Sequence, residues 1–426
     1  CYLMTSNQII DEIPGDKSIS HRSIIIGSLT NGISQFKGFL CSEDCLNTLK
    51  IFQQLGVSIK RNGTVVTINS HGVNAFQTPS QTLDVGNSGT GIRLIAGALA
   101  GSSISATLTG DHSIQKRPMG RIIDPLSQMG ATITANNQLP PLTINGHSNL
   151  TNGFQYNMPI ASAQVKSAIL LSAISANIAV DVTQPEECRD HTERMLELFG
   201  ASITTSNEGV IRLTKSILKA PKDVIQIPAD ISSALFFICY ALMANQEMTF
   251  KNIGLNQSRI GCLNILKMMG AQLNIDHHTG SYEPMGDISV RPSENLKNIT
   301  VPLDLIPNII DELPILAILS LTQNGLFKVR GAEELRVKES DRIDGICRLV
   351  RALGAHVDEF DDGFDISGPL TSPRSFEFDA HFDHRLAMSA LIAASIFNVN
   401  GKIIGEESIG TSFPNFNTIL KKVVKN

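Results

Sequence analysis

Cationic and hydroxyl side chains gather at several points of the chain, each directly before a run of apolar residues. In the segment IPGDKSISHR, Lys17, Ser18 and Arg22 precede the apolar run SIIIGSL. Lysine and arginine are disfavoured at a helix N-terminus because the helix dipole is positive there, whereas anions bind there readily. One such segment is consistent with an ordinary solvated helix start, but its cations also favour a binding site for phosphate or carboxylate groups.

The same arrangement recurs along the chain with other side chains. GNSGTGIR carries Asn87 and Gly89, and its glycines permit the backbone to approach an oxyanion closely, although it matches no nucleotide-binding fingerprint. Further candidates stand at the starts of other helices: Arg117 in QKRPMGR, Ser162, Ala163 and Gln164 in SAQVKSA, Arg189 in CRDHTER, Asp311 in IIDELP, Lys338, Glu339 and Arg342 in RVKESDR, and Arg385 in FDHRLAM.

The elements that must position these residues form a repeat. Six segments, from SIIIGSL to RLAMSALIAASI, are apolar almost all round, as expected of buried helices. Between them, amphipathic segments end in glycine followed by alanine or valine, which predicts left-handed helix caps at Gly56, Gly130, Gly200, Gly270 and Gly354. We therefore expect six units of roughly 70 residues, a period longer than those of common solenoids.

Six units of this size predict an α/β protein with two domains of three units each. IPGD at 13–16 and IPAD at 227–230 echo each other before buried helices and mark the crossings between domains. We expect residues 16–227 to form one domain and residues 1–15 with 228–426 to form the other, joined by a two-strand hinge. If the buried helices aim their N-termini at a shared cleft, their dipoles and the nearby cations create an anion site.

The composition limits the classes of function. The 426 residues are 42% hydrophobic and 5% aromatic, lack Trp and carry a net charge of −5, which argues against a nucleic-acid partner. The longest apolar run, ALFFICYALMA, is too short to span a membrane, and no signal peptide is visible. The seven cysteines are scattered, so we expect a cytoplasmic monomer without disulfides or a bound metal.

Seven segments taken together resemble the 5-enolpyruvylshikimate-3-phosphate (EPSP) synthase family: PGDKSISHR, GNSGTGIR, KRPMGR, SAQVKSAILL, LRVKESDR, DHRLAM and TSFP. The resemblance runs from about residue 13 to residue 416. It implies two inside-out α/β domains, each of three βαβαββ-like units. It also implies that the enolpyruvyl group of phosphoenolpyruvate passes to the 5-hydroxyl of shikimate 3-phosphate, in the shikimate pathway, with release of phosphate and without any cofactor.

The resemblance also implies roles for the candidate residues. Lys17, Arg117, Arg342 and Arg385 are expected to surround phosphoenolpyruvate, with Gly89 in close backbone contact. Asp311 is expected to take the proton of the 5-hydroxyl and Glu339 to protonate the methylene carbon, with Lys17 beside them in the catalytic set. The remaining substrate-binding residues, mainly for shikimate 3-phosphate, are Ser18, Arg22, Asn87, Ser162, Ala163, Gln164, Arg189 and Lys338.

Two positions depart from the family pattern. Many members carry lysine just before a C-terminal TFP motif, whereas GTSFP of this chain has Thr411 there, so one cation near phosphoenolpyruvate is missing or supplied elsewhere. Gly89 stands where a glyphosate-tolerant branch typically has alanine, although RPMGR and SAQVKSA resemble that branch. Because glycine leaves room for the inhibitor, we predict that glyphosate competes with phosphoenolpyruvate.

Two other functions remain open on the sequence alone. An enolpyruvyl transferase acting on UDP-N-acetylglucosamine has the same fold, but it uses a cysteine in a mobile loop, and the GDHSIQKRP loop has none. A non-catalytic protein that binds phosphorylated metabolites would need the cations but not the two carboxylates, Asp311 and Glu339. A phosphate-release assay separates that protein from an enzyme.

Overall fold

A computed structural model of the chain describes residues 7–146, 149–280 and 282–424. Contacts divide the chain into a first unit, Gly15–Ile227, and a second unit, Cys1–Pro14 together with Pro228–Asn426. Part of the domain expected over 1–15 and 228–426, namely residues 1–6, 281, 425 and 426, lies outside the described residues. Within the described ranges, no helix is both long and apolar enough to cross a membrane. The first described strand, β1 (Gln8–Ile10), belongs to the second unit.

Each unit is built around three buried helices that contact one another. In the first unit these are α1 (Lys17–Leu29), α3 (Gly89–Ala100) and α5 (Ala163–Ala176). In the second unit they are α7 (Ile231–Met243), α10 (Leu313–Ser320) and α12 (His384–Ile396). All six match the runs predicted to be buried, because a helix with no polar face is stable only when it is covered on all sides.

The amphipathic helices also lie where the sequence predicts them. They are α2 (Glu43–Gln54), α4 (Gly120–Gln128), α6 (His191–Leu198), α8 (Gly261–Met269), α11 (Arg342–Leu353) and α13 (Phe416–Val424); α9 (Ile306–Ile309) is a single turn. The five glycines expected to end them have φ between +84° and +110°, a region that glycine enters without steric cost. These left-handed caps are therefore confirmed.

The first unit has three four-stranded sheets of one design. Their orders are β13-β2-β4-β3, β5-β6-β8-β7 and β11-β12-β10-β9, and in each sheet one edge pair is parallel and the other pairs are antiparallel. The strands are β2 (Asn31–Lys37), β3 (Ser58–Asn62), β4 (Val65–His71), β5 (Leu83–Asp84), β6 (Ala106–Thr109), β7 (Thr132–Asn136), β8 (Leu139–Asn145), β9 (Phe154–Asn157), β10 (Val180–Thr183), β11 (Ile203–Thr205), β12 (Val210–Leu213) and β13 (Ile225–Gln226). The run β5-α3-β6-α4-β7-β8 thus has the βαβαββ order expected of a repeat.

The second unit repeats this design less completely. One sheet has the same four-stranded pattern, with order β1-β14-β16-β15, whereas the others are β17-β19-β18 and the parallel pair β20-β21. The strands are β14 (Met248–Gly254), β15 (Gln272–His277), β16 (Met285–Arg291), β17 (Gly325–Val329), β18 (Val357–Phe360), β19 (Gly363–Gly368), β20 (Phe376–Asp379) and β21 (Gly401–Ile404). Two isolated parallel bridges, Lys297 with Asn324 and Thr300 with Lys328, stand where β17 lacks its edge strand.

Candidate active site

Lys17 is the first residue of α1, and its side chain is only 22% exposed. Asp16 caps this helix by accepting a hydrogen bond from the backbone N–H of Ile19 at 2.9 Å. The Lys17 ammonium forms an ion pair with the buried carboxylate of Asp44, at the start of α2. A lysine is therefore held at a positive helix end by a carboxylate from the neighbouring helix, which offsets the unfavourable dipole.

His21 of α1 is completely buried and links α1 to α2 and α3. Its Nδ1 lies 2.8 Å from the hydroxyl of Thr48 on α2, and its Nε2 lies 3.3 Å from the hydroxyl of Ser88, which caps α3. Burial lowers the pKa of His21 well below its ordinary value, and the charges of Lys17 and Arg22 lower it further. The imidazole is thus neutral, and its geometry makes it a structural link between helix starts.

Arg22 occupies the next turn of α1 and is 2% exposed. Its Nε donates to Thr192 Oγ1 at 2.7 Å, its Nη1 to the carbonyl of Ser18 at 2.9 Å and its Nη2 to Ser167 Oγ at 2.8 Å. The guanidinium therefore donates hydrogen bonds to residues of three helices, α1, α5 and α6. This arrangement fixes the planar group rigidly beside Ser18, with which it is expected to share a ligand.

Gly89 begins α3, and Arg117 lies directly over it. Arg117 Nη2 donates to the amide oxygen of Asn87 at 3.0 Å and to Ser113 Oγ at 3.1 Å, while the Asn87 amide donates to Asp111 at 2.6 Å. A Cβ on Gly89 would lie only 2.8 Å from Arg117 Nη1. The structure therefore brings Asn87, Gly89 and Arg117 together, and it explains why the position suits glycine.

Gln164 and its neighbours connect α5 to the same region. Ser162 caps α5 through the backbone N–H of Val165 at 3.4 Å, and Ala163 is the first helical residue. The Gln164 amide donates to Thr90 at 3.1 Å and accepts from Arg93 Nη1 at 2.9 Å. The start of α5 is thus tied by side chains to the start of α3, as the shared pattern of polar helix entries predicts.

Arg189 is half-buried, in the segment before α6. The residue before it is anchored by Lys166, whose Nζ donates to the carbonyl of Cys188 at 3.3 Å and contacts Glu193 at 2.5 Å. Burial by itself would lower the pKa of Lys166, but its interactions with Glu193 and Cys188 together outweigh burial and raise the pKa. The sequence pattern gives no sign of this buried ion pair next to Arg189, although Lys166 stands in the SAQVKSA segment.

In the second unit, Arg342 collects three carboxylates at the start of α11. Its Nε donates to Asp383 Oδ2 at 2.8 Å, its Nη1 to Asp311 Oδ1 at 3.1 Å and its Nη2 to Glu339 Oε2 at 2.6 Å. Burial disfavours the charge of this side chain, which is 1% exposed, but the carboxylates outweigh burial and raise the pKa of Arg342. Asp311 and Glu339, the two expected acid–base groups, therefore share one guanidinium.

Lys338 and Arg385 complete this group of charges. Lys338 Nζ is 3.7 Å from Asp311 Oδ1, and Arg385 Nη1 donates to the backbone carbonyl of Asp311 at 2.9 Å. Arg385 lies at the second position of α12, which Asp383 caps by accepting from the backbone N–H of Arg385 at 3.0 Å. The capping carboxylate that orders this helix thus also pairs with Arg342, a double role that the sequence did not reveal.

Thr411 supplies no cation at the position where many family members carry lysine. It ends a short 3₁₀ segment, and its hydroxyl donates to the carbonyl of Ser408 at 2.7 Å. Among the described residues, no group of three or more His, Cys, Asp or Glu side chains is arranged to hold a metal ion. The candidate residues described above therefore supply cations, hydroxyls, amides and carboxylates, of which Asp311 and Glu339 are the expected acid–base pair.

Comparisons with known proteins identify the family of the chain. The family model for EPSP synthase (3-phosphoshikimate 1-carboxyvinyltransferase) matches residues 6–420. The 3-phosphoshikimate 1-carboxyvinyltransferase of Bacillus licheniformis is 41% identical over 97% of this chain and 96% of its own length, and that of Bacillus cytotoxicus is 42% identical over 95% of each. An EPSP synthase structure from Acinetobacter baumannii has a TM-score of 0.84 and 39% identity, covering 98% of this chain and 96% of its own.

Proposed function

The chain belongs to the EPSP synthase family, and on that premise we propose that it transfers the enolpyruvyl group of phosphoenolpyruvate to the 5-hydroxyl of shikimate 3-phosphate. The observation that best supports this proposal is the pairing of Asp311 and Glu339 on Arg342. Two carboxylates beside a guanidinium supply both the proton-transfer groups and the charge that such a reaction needs.

We infer that the first unit contributes mainly cations and polar groups to the substrates. Ser18, Arg22 and the residues of the α5 entry are assigned to shikimate 3-phosphate, while Lys17 and Arg117 are assigned to phosphoenolpyruvate. The positive end of each buried helix adds to their attraction for phosphate and carboxylate oxygens. The complete proposed set for shikimate 3-phosphate in this unit is Ser18, Arg22, Ser162, Ala163, Gln164 and Arg189, with Asn87 and Gly89 placed beside Arg117.

The second unit contributes the acid–base groups in this proposal. Asp311 takes the proton of the 5-hydroxyl, and the oxygen forms a bond to the central carbon of phosphoenolpyruvate. The methylene carbon gains a proton from Glu339, which completes a tetrahedral intermediate. In the elimination step the new methyl group returns a proton to the Glu339 carboxylate, the electrons of that C–H bond re-form the double bond, and phosphate leaves with the electrons of its C–O bond. Lys338, Arg342 and Arg385 bind the negative charges throughout.

Arg342 imposes a condition on this sequence of steps. A cation beside a carboxylate favours the charged form, so Glu339 gains a proton more easily when its contact with Arg342 is weakened. Phosphoenolpyruvate carries its own anionic oxygens, which compete with the carboxylates for the same guanidinium. We infer that substrate binding draws Arg342 towards the ligand and thereby releases Glu339 for proton transfer.

A coupled assay of phosphate release with both substrates tests the proposed function. Lys17→Ala is expected to raise the KM for phosphoenolpyruvate, and Glu339→Gln is expected to lower kcat, because the carboxamide cannot donate the proton. Phosphate release with UDP-N-acetylglucosamine in place of shikimate 3-phosphate would support the alternative enolpyruvyl transferase. Binding of both ligands without any release would support a non-catalytic protein and refute the proposal.

A further inference from the structure

A second chain of buried charges lies beside Arg385 in the second unit. It begins at Asp230, the N-cap of α7, whose carboxylate accepts from Arg259 Nη2 at 3.2 Å. The same nitrogen donates to the hydroxyl of Ser232 at 2.7 Å, and that hydroxyl donates to the carboxylate of Glu312. All four residues are buried, and Glu312 is only 1% exposed.

The charges along this chain alternate in sign and end at Arg385. Glu312 Oε1 is 4.0 Å from Arg385 Nη1, the nitrogen that also donates to the backbone carbonyl of Asp311. A buried carboxylate is costly unless it is paired and hydrogen-bonded, so Glu312 depends on the partners at both ends. The chain therefore couples the rigid start of α7 to the guanidinium of Arg385.

The Asp311–Glu312 dipeptide consequently contacts both Arg342 and Arg385. The side chain of Asp311 meets Arg342, its carbonyl accepts from Arg385, and the side chain of Glu312 faces Arg385 from within the protein. A long arginine side chain loses considerable conformational entropy when a ligand orders it. A carboxylate that orders the guanidinium beforehand reduces that loss at the moment of binding.

We propose that Glu312 is a positioning residue, whose buried carboxylate holds the Arg385 guanidinium in the orientation that binds phosphoenolpyruvate. This inference rests on the proposed function, in which Arg385 contacts that substrate. Ser232 and Arg259 act one step further away, because they fix the orientation of the Glu312 carboxylate. Glu312 touches neither reacting atom, so its effect is on substrate affinity rather than on the chemical step.

The test is the steady-state kinetics of Glu312→Gln with each substrate varied in turn. The glutamine keeps an oxygen that accepts the Ser232 hydrogen bond but removes the charge that faces Arg385. We expect the KM for phosphoenolpyruvate to rise about tenfold, with kcat and the KM for shikimate 3-phosphate within about twofold of the original values. A variant that raised both KM values equally, or neither, would overturn the inference.

Glu283→Gln provides the matched control. Glu283 is also 1% exposed and accepts a hydrogen bond from Asn256 at 3.0 Å, so it tests the general effect of neutralising a buried carboxylate in this unit. Thermal unfolding of both variants reports their stability. If Glu283→Gln shifted the KM for phosphoenolpyruvate as much as Glu312→Gln does, the effect would be structural and the inference would be wrong.

Ser232→Ala and Arg385→Ala keep the inference testable if Glu312→Gln fails to fold. Ser232→Ala removes only the hydroxyl between Arg259 and Glu312, and we expect a smaller rise in the KM for phosphoenolpyruvate alone; no rise would count against the inference. Arg385→Ala tests the premise. If Arg385→Ala leaves that KM unchanged, the proposed role of Arg385 fails, whereas an effect in Arg385→Ala without one in Glu312→Gln rejects only the positioning role.

Discussion

A single missing side chain at Gly89 determines where Arg117 can lie. A Cβ at this position would stand 2.8 Å from Arg117 Nη1 and 3.1 Å from Arg93 Nη1, so the guanidinium of Arg117 must move if alanine is introduced. We therefore predict that Gly89→Ala raises the KM for phosphoenolpyruvate about tenfold. The KM for shikimate 3-phosphate is expected to stay near its original value, and steady-state kinetics with each substrate varied measures both.

A suitable control for Gly89→Ala is Gly254→Ala. The added Cβ there meets its nearest atom at 3.4 Å, an ordinary van der Waals contact, and the site lies in β14 of the second unit. Its kinetics are expected to match those of the unaltered protein. Equal changes in both variants, or an unchanged KM for phosphoenolpyruvate in Gly89→Ala, would show that Arg117 does not depend on this glycine.

Gly89 also bears on inhibition by glyphosate. The methyl group of an alanine at position 89 would fill the space beside the Arg117 guanidinium. We predict that glyphosate inhibits the enzyme competitively with phosphoenolpyruvate and that Gly89→Ala weakens this inhibition. Initial rates over a range of both concentrations measure the pattern. An absence of inhibition at millimolar glyphosate, or inhibition that excess phosphoenolpyruvate does not relieve, would contradict the prediction.

The sequence identifies candidate residues but not the contacts that hold them in place. Asp311, Glu339 and Arg342 were identified as candidates, but their convergence on one guanidinium depends on tertiary packing of α10, α11 and α12. The buried partners of Arg22, namely Ser167 and Thr192, were not identified, because serine and threonine in a helix usually signal nothing specific.

At the scale of elements, α3 and α5 pack closely against each other. Gly97 of α3 packs against Ala168 of α5, and a Cβ on Gly97 would lie 2.4 Å from the Ala168 carbonyl oxygen. Because that oxygen belongs to the backbone of a buried helix, it cannot move aside cheaply. We predict that Gly97→Ala lowers the free energy of unfolding by about 1–3 kcal/mol, the usual cost of overpacking a core.

Chemical unfolding monitored by circular dichroism measures this loss. Gly254→Ala again provides the comparison, with an expected change of less than about 1 kcal/mol. Since α3 also begins at Gly89, a shift of this helix is expected to raise the KM for phosphoenolpyruvate as well. A Gly97→Ala variant as stable as the unaltered protein would mean that the two helices can separate without cost.

The repeated elements were predictable because each carries a local signal. An all-apolar helix must be buried, and a glycine after an amphipathic helix predicts a left-handed cap, whatever the rest of the chain does. The order of strands within a sheet carries no such signal. The pairing of β13 with β2 joins segments far apart in sequence, so β13 gains its partner only when the unit closes.

At the scale of the whole molecule, three sheets of one design in the first unit reflect three copies of one sequence pattern. The second unit departs from that regularity where its segments are short, as in the bridges at Lys297 and Thr300 and the pair β20-β21. Hydrophobic periodicity gives the number of repeats but not their completeness, because one missing edge strand removes only a few residues from the pattern.

The stability of the first unit is expected to depend on pH through His21. Burial, together with the charges of Lys17 and Arg22, holds the pKa of His21 well below its ordinary 6.5. Below pH 6.5 the unfolded chain therefore binds a proton at His21 more readily than the folded chain does. The stability that depends on neutral His21 is fully present above pH 6.5 and is lost as pH falls towards the folded pKa. We predict that His21→Gln, which keeps hydrogen-bonding groups but does not titrate, flattens this loss in urea unfolding measured on both sides of pH 6.5. Equal pH slopes in His21→Gln and the unaltered protein would show that His21 is protonated in the folded state as readily as in the unfolded one.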